Sequence, residues 1–303
     1  MLTLFANCEY NKIKIDDKRT GTKMENSKKL PRVLAVHDLC GFGKCSLATI
    51  LPVMSACGVE VCPIPTGIFS TNTNFEGFQF TDFTNQMPRF MEHLKEVGVL
   101  ADGIYSGFLG SAEQIEYIKE LVKNFSPSYT IIDPVMGDYG IVYKTYTKEM
   151  CEKMKDLVSI SDIATPNLTE SCILTDTDFK TMGNSEGEIK ELAEKIQKIG
   201  AKSVVITGIE RNGKIYNCIL SNGEYCEREA KLLPFRMHGT GDLFAGVLAG
   251  GILTGHSLVE SVDSAAAFVI EVMEKSKEIE GYHERGACFE TLLYKLQGGI
   301  YIL

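Results

Sequence analysis

No Cys-x-x-C pair occurs among the ten cysteines of this 303-residue chain. The closest pairs are Cys40/Cys45 and Cys57/Cys62, and the five histidines do not gather around either. That spacing argues against a zinc site and against a disulfide framework. Most of the cysteines sit in apolar runs such as "CSLATILPVMSAC", which read as buried free thiols in a reducing cytoplasm. No apolar run is long enough to cross a bilayer. No basic run appears outside the N-terminal stretch, and the net charge is -9. Non-specific binding to nucleic acid or to an anionic membrane is therefore not expected. An acidic chain that handles an anionic ligand must rely on local cations or on backbone N–H groups. The opening "MLTLFANCEY" has no basic n-region, and its apolar core is too short for a signal peptide. Residues 1–30 read as a flexible polar tail, with Met24 as a second candidate start.

What is present is ordinary globular composition, 44% hydrophobic and 23% charged. From Pro31 short apolar runs alternate with amphipathic stretches. "RVLAVH", "VEVCPIPT", "GIYSG", "YTIIDP", "DIATP" and "KSVVITG" read as strands. Helices are predicted from Cys45 to Gly58 with Pro52 as a kink point, over Met87–Val97, after a capping box at Ser111–Gln114, over Lys148–Leu157, and through "SEGEIKELAEKIQKIG". "KIYNCILS" and "EYCEREAKLL" meet at Asn222-Gly223, a hairpin signal. Beyond Asp242 the chain turns helical, ending with a helix near Phe289–Leu296. Strands alternating with helices imply a parallel sheet covered on both faces. Residues 31–303 read as one domain, with no internal repeat.

In such sheets ligands bind beyond the carboxyl ends of the strands. That rule selects His37-Asp38, Thr66 to Asn74, Ser106-Gly107-Phe108, Asp133, Asn167 to Glu170, and Thr207-Gly208. "DLCGFGKCS" is not a P-loop, because Asp38 and Cys45 stand where Gly and Ser/Thr belong; Ser46 likewise breaks the dinucleotide fingerprint. "HGTGDLFAGVLAG" is more informative. Glycines at a helix mouth leave N–H groups free to form an anion hole, and Gly239, Thr240 and Gly241 offer one. Asp242 could then act as base toward an attacking hydroxyl. The competing explanation is a helix N-cap, favourable by about 1 kcal/mol without any chemistry; the surrounding strand-end residues favour the site. "TPNLTES" places Asn167 and Glu170 one turn apart, either as a capping box or as a carboxylate for a hydrated magnesium ion. "DPVMGD" places Asp133 at a strand end with the same two options. Thr207-Gly208 is either a nucleotide-lining turn or a plain one.

"SGFLGS", "DPVMGD", "TPNLTE", "VVITG" and "GTGD", in this order, resemble the ribokinase superfamily, and most closely its pyridoxal/pyridoxamine (vitamin B6) kinase branch. The likeness runs from about Arg32 to the C-terminal helices. It implies a three-layer α/β/α fold with a mostly parallel central sheet. It also implies MgATP-dependent phosphorylation of the 5'-hydroxymethyl group of pyridoxal, pyridoxine or pyridoxamine, with a monovalent cation such as K+ as an option. By the same likeness Asp242 is the base and Gly239-Thr240-Gly241 the anion hole. Asp133 and Glu170 belong to the ATP-magnesium region, beside Asn167, with Thr165, Thr207 and Gly208 lining the nucleotide. Asp38, Thr73, Asn74 and Phe108 fall at substrate-contacting positions. Asp38 replaces a family serine, and a carboxylate there could accept from the pyridine nitrogen or the 3-hydroxyl. Asn72 stands where a histidine is common. A cytoplasmic homodimer is the family expectation.

Two rivals remain. Hydroxymethylpyrimidine kinase usually carries a Gly-rich "GxDxSGGAG" after the first strand and often Cys at the Asp242 position, unlike this chain. A nucleotide-binding regulator without turnover would have no chemical need for the intact "GTGD".

Overall fold

The computed structural model describes residues 29–301, so the expected tail lies almost wholly outside the described residues. In chain order the elements are β1 (Arg32–Cys40), α1 (Leu47–Ala56), β2 (Glu60–Phe69), β3 (Phe80–Asp82), α2 (Met87–Glu96), β4 (Gly103–Ser106), α3 (Ala112–Phe125) and β5 (Tyr129–Ile132). A small hairpin follows, β6 (Gly137–Asp138) and β7 (Ile141–Val142), then α4 (Lys148–Val158), β8 (Ile163–Ala164), α5 (Leu168–Leu174) and α6 (Glu186–Ile199). The chain ends with β9 (Ser203–Arg211), β10 (Lys214–Ser221), β11 (Glu224–Lys231), α7 (Thr240–Leu253), α8 (Leu258–Ser276) and the short α9 (Tyr282–Arg285).

The central sheet has nine strands in the order β11-β10-β9-β8-β5-β4-β1-β2-β3. The six from β9 to β2 are parallel, and β3, β10 and β11 are antiparallel additions at the two edges. Residues along β1 alternate between two cores. Leu34 and Val36 pack with Ile115 and Ile118 of α3 on one face, while Val33 and Ala35 pack with α1, α7 and α8 on the other. A strand buried on both faces must be apolar throughout, which is why "RVLAVH" shows no alternation of polarity. This is the expected three-layer α/β/α arrangement with a mostly parallel sheet. Because β2 joins β1 on one side and β4 on the other, the chain reverses its winding there. A crevice opens at such a point beyond the strand ends.

Local signals were largely sound. Asn222 and Gly223 both take positive φ, 52° and 79°, as a two-residue hairpin with a right-handed twist requires. α1 continues through Pro52 without a break. Two expectations need correction. Ser111 does cap α3, but Gln114 turns instead to the Gly110 amide at 2.7 Å, so the box is not reciprocal. The helix expected over Phe289–Leu296 is only a 3-10 turn, Leu293–Leu296. Gly298 and Gly299 follow with φ of 86° and 96°, leaving too little chain to repay helix nucleation. Among the described residues no helix is long and apolar enough to cross a membrane.

Candidate active site

α7 starts at the crevice. Gly239 is its N-cap, in a left-handed conformation, and the apolar run after Asp242 is buried on all sides. The first-turn amides of a helix have no partner within it. A Cβ placed on Gly241 would meet nothing within 4 Å beyond its own helix turn, so there is open space beside this turn. The Thr240 hydroxyl turns back to the Met237 carbonyl at 3.3 Å.

Asp242 projects from this turn, and both its oxygens are held. Oδ2 accepts from the Ser46 amide at 2.7 Å, and Oδ1 lies 3.0 Å from His37 Nε2. Burial alone would raise the Asp242 pKa. The His37 bond and charge, with the Ser46 amide, outweigh it and hold the carboxyl below its ordinary value. On its far side His37 Nδ1 lies 2.9 Å from Asp38 Oδ1. The Asp38 amide is also 2.9 Å from Nδ1, but an unprotonated Nδ1 would set its lone pair against a carboxylate. A ring between two carboxylates is better described with both nitrogens protonated. Burial opposes that charge, yet the bonds to Asp242 and then Asp38 win and lift the His37 pKa to about 10.

Sequence reasoning selects His37 beside Asp38 but gives it no role. Its place late in β1 is visible in the sequence; its contact with a residue 205 positions away is not. Space for its ring comes from Gly107, where a Cβ would stand 2.0 Å from His37 Cδ2. The "SG" of "SGFLGS" therefore serves the imidazole.

A second group lines the neighbouring strand ends. Asp133 follows β5 and receives the Tyr105 hydroxyl at 3.5 Å. Burial, then the charge of Asp242, push its pKa up to about 7. The Thr165 hydroxyl is near enough to influence Asp133, but it is buried and makes no well-aligned hydrogen bond. Asn167 and Glu170 form the reciprocal capping box of α5. They also anchor the β6–β7 hairpin: Asn167 Nδ2 donates to the Gly137 carbonyl at 2.9 Å, and Glu170 accepts from the Met136 amide at 3.2 Å. Burial, then Asp133, push the Glu170 pKa well above its ordinary value. Thr207 pairs with Asn167 across a parallel bridge, and Gly208, with φ of 72°, opens toward solvent. From the other side of the hairpin Arg236 lies 4.0 Å over the Tyr139 ring and 3.0 Å from Glu210. The loop before α7 is thereby tied to the hairpin.

The remaining expected residues are dispersed. Thr73 and Asn74 are exposed. They follow Asn72, whose side chain is engaged by the Gly43 carbonyl at 3.3 Å and by the Asn74 amide at 3.0 Å. Phe108 is a core residue, edge-on to Phe69 and Tyr146 at 5.8 and 6.0 Å. Asp38 has one oxygen committed to His37 rather than free for a ligand. A cavity of about 480 Å³, lined by Gly140, Thr169, Cys172 and Phe179 among others, lies behind the hairpin and away from Asp242. Among the described residues no three His, Cys, Asp or Glu side chains converge at metal-binding spacing.

A sequence model of the family described as phosphomethylpyrimidine kinase matches residues 51–286. The pyridoxal kinase PdxY of Proteus mirabilis is 31% identical over 248 residues, covering 74% of this chain and 82% of its own. A hydroxymethylpyrimidine/phosphomethylpyrimidine kinase of Aquifex aeolicus is 28% identical over 184 residues, covering 59% of this chain and 70% of its own. A crystal structure from Bacteroides thetaiotaomicron, designated a phosphomethylpyrimidine kinase and determined with pyridoxal, is similar with a TM-score of 0.85. It is 33% identical and covers 90% of this chain and 97% of that one. The chain belongs to the phosphomethylpyrimidine kinase family and, within the ribokinase superfamily, to its pyridoxal kinase branch.

Proposed function

We propose that this member of the family transfers the γ-phosphoryl group of ATP to the 5'-hydroxymethyl group of a vitamin B6 vitamer. The observation that supports the reading best is Asp242, a part-buried carboxylate whose pKa is held below its ordinary value at the mouth of α7. In the reaction the vitamer oxygen bonds to the γ-phosphorus as the bond to the ADP oxygen breaks. The hydroxyl proton passes to Asp242. The amides from Gly239 to Gly241, with the α7 dipole, offset charge on the phosphoryl oxygens as it shifts.

Thr165, Asn167, Thr207 and Gly208 are assigned to the nucleotide side, next to the hairpin that α5 anchors. Asp133 and Glu170 are the residues that would hold the magnesium ion of the nucleotide. Both are buried carboxylates whose charge asks for a counterion, and the unpaired Thr165 hydroxyl fits a hydrated ion. The ion supplies charge neutralisation at the phosphates, and a monovalent cation such as K+ would serve the same region. Asp38, Thr73, Asn74 and Phe108 are assigned to the vitamer side, Asp38 through its uncommitted oxygen.

Residues 31–303 are taken as the kinase domain. Nine free cysteines among the described residues support a reducing cytoplasm. Exposed Ile68, Phe80 and Phe90 around the β2–β3 edge support a homodimer.

The test is an ADP-release assay across pyridoxal, pyridoxine, pyridoxamine and hydroxymethylpyrimidine. Turnover fastest on a B6 vitamer is the expected result. Preference for hydroxymethylpyrimidine would move the chain to the thiamine-synthesis reaction, and ATP binding without turnover on any of the four would make it a regulator.

A further inference from the structure

Three side chains in a row cross the crevice: Asp38, His37 and Asp242, joined at 2.9 and 3.0 Å through the two nitrogens of one imidazole. The inner end of the row is almost sealed from solvent, with His37 1% and Asp38 5% exposed, while the Asp242 side chain keeps 14% exposure at the open end. Phosphoryl transfer asks for a base and an anion hole, and neither requirement explains two acids clamping a histidine. We propose that Asp38 and His37 form a brace that orients the Asp242 carboxylate toward the acceptor hydroxyl, His37 acting as a positioning residue. The inference rests on Asp242 being the base.

The brace requires no relay through the ring. With both nitrogens protonated and each donating to a carboxylate, His37 has no site for the incoming proton. Its effect is on direction. The imidazole and the Ser46 amide grip the two oxygens from different elements, β1 and the turn before α1. Rotation of the carboxylate about its last bond is thereby stopped. The ring itself is fixed by Tyr105, stacked at 6.2 Å, and by the Gly107 backbone, which leaves no room for a methyl group. Asp38 completes the brace, because an imidazolium facing one carboxylate alone could swing out of line. This also accounts for an acid at a position where the resemblance expects serine: one of its oxygens serves the histidine and leaves the other for the vitamer.

Misplacing a reacting group by about 1 Å costs on the order of 100-fold in rate. The full-length protein with MgATP and its fastest vitamer provides the test. His37→Phe is expected to lower kcat about 100-fold while KM for MgATP stays within about twofold. His37→Gln, whose amide can still donate to Asp242, should recover most of that loss. Gly107→Ala keeps the histidine but displaces its ring, and should lower kcat as His37→Phe does. Asp242→Asn supplies the reference. If His37 acts through Asp242, adding His37→Phe to Asp242→Asn costs little more. Wild-type kcat in folded His37→Phe, or a full second loss in the double variant, overturns the brace and leaves the base standing. Wild-type turnover in Asp242→Asn overturns the base and the brace together.

Discussion

The Gly239 backbone faces the carbonyl oxygen of Lys44 so closely that a Cβ on Gly239 would stand 2.1 Å from it. The contact joins the "GTGD" turn to the "GFGK" turn, two glycine-rich segments almost two hundred positions apart in the chain. With φ of 81°, position 239 also disfavours any side chain by its backbone alone. Gly239→Ala is therefore expected to push the mouth of α7 away from the crevice. Loss of most turnover with a fall in thermal midpoint is the expected outcome, whereas Gly241→Ala, with open space around it, should keep the midpoint. Parallel melting curves and ADP-release rates check the contrast.

Asp242→Asn should lower kcat by two decades or more, the usual scale of a general base. It should also cost stability. His37 and the Ser46 amide are both donors to the carboxylate, and an asparagine must turn its NH2 group toward one of them. A loss of about 1–3 kcal/mol follows from that unmatched donor pair. Nucleotide binding, measured by calorimetry, should persist.

Stability should fall on the alkaline side. The His37 pKa is about 10 in the folded chain against an ordinary 6.5. Between those values the folded state binds more proton than the unfolded, so this contribution is complete below pH 6.5 and is lost as pH rises toward 10. The slope is bounded by one proton, about 1.4 kcal/mol per pH unit. Denaturant titrations of the wild type at several pH values should show the decline, and His37→Gln should flatten it.

Glu170 has a structural duty that is separable from its proposed place at the magnesium ion. Its oxygens accept from the Asn167 amide at 2.8 Å and the Met136 amide at 3.2 Å, and glutamine can keep only one of these bonds. Glu170→Gln should cost about 1–2 kcal/mol through the cap and hairpin. It should also raise the magnesium concentration needed for half-maximal rate. An unchanged magnesium requirement would confine Glu170 to the structural duty.

The sequence by itself determined the layered α/β architecture, because strands buried on both faces must be uniformly apolar and amphipathic helices must cover them. It also determined the Asn167–Glu170 box and the Asn222-Gly223 turn, whose chemistry is complete within four residues. The strand-end rule reached Asp133 and Asp38, and the glycine-flanked helix start reached Asp242, for the same reason: each sits where a local pattern changes. The tertiary structure alone decided what those acids face. His37 meets Asp242 because β1 and α7 are brought together by packing, and no periodicity encodes a contact between residues so far apart. Phe108 shows a like limit: its place after a strand is visible in the sequence, while its edge-on packing against Phe69 and Tyr146 comes only with the fold.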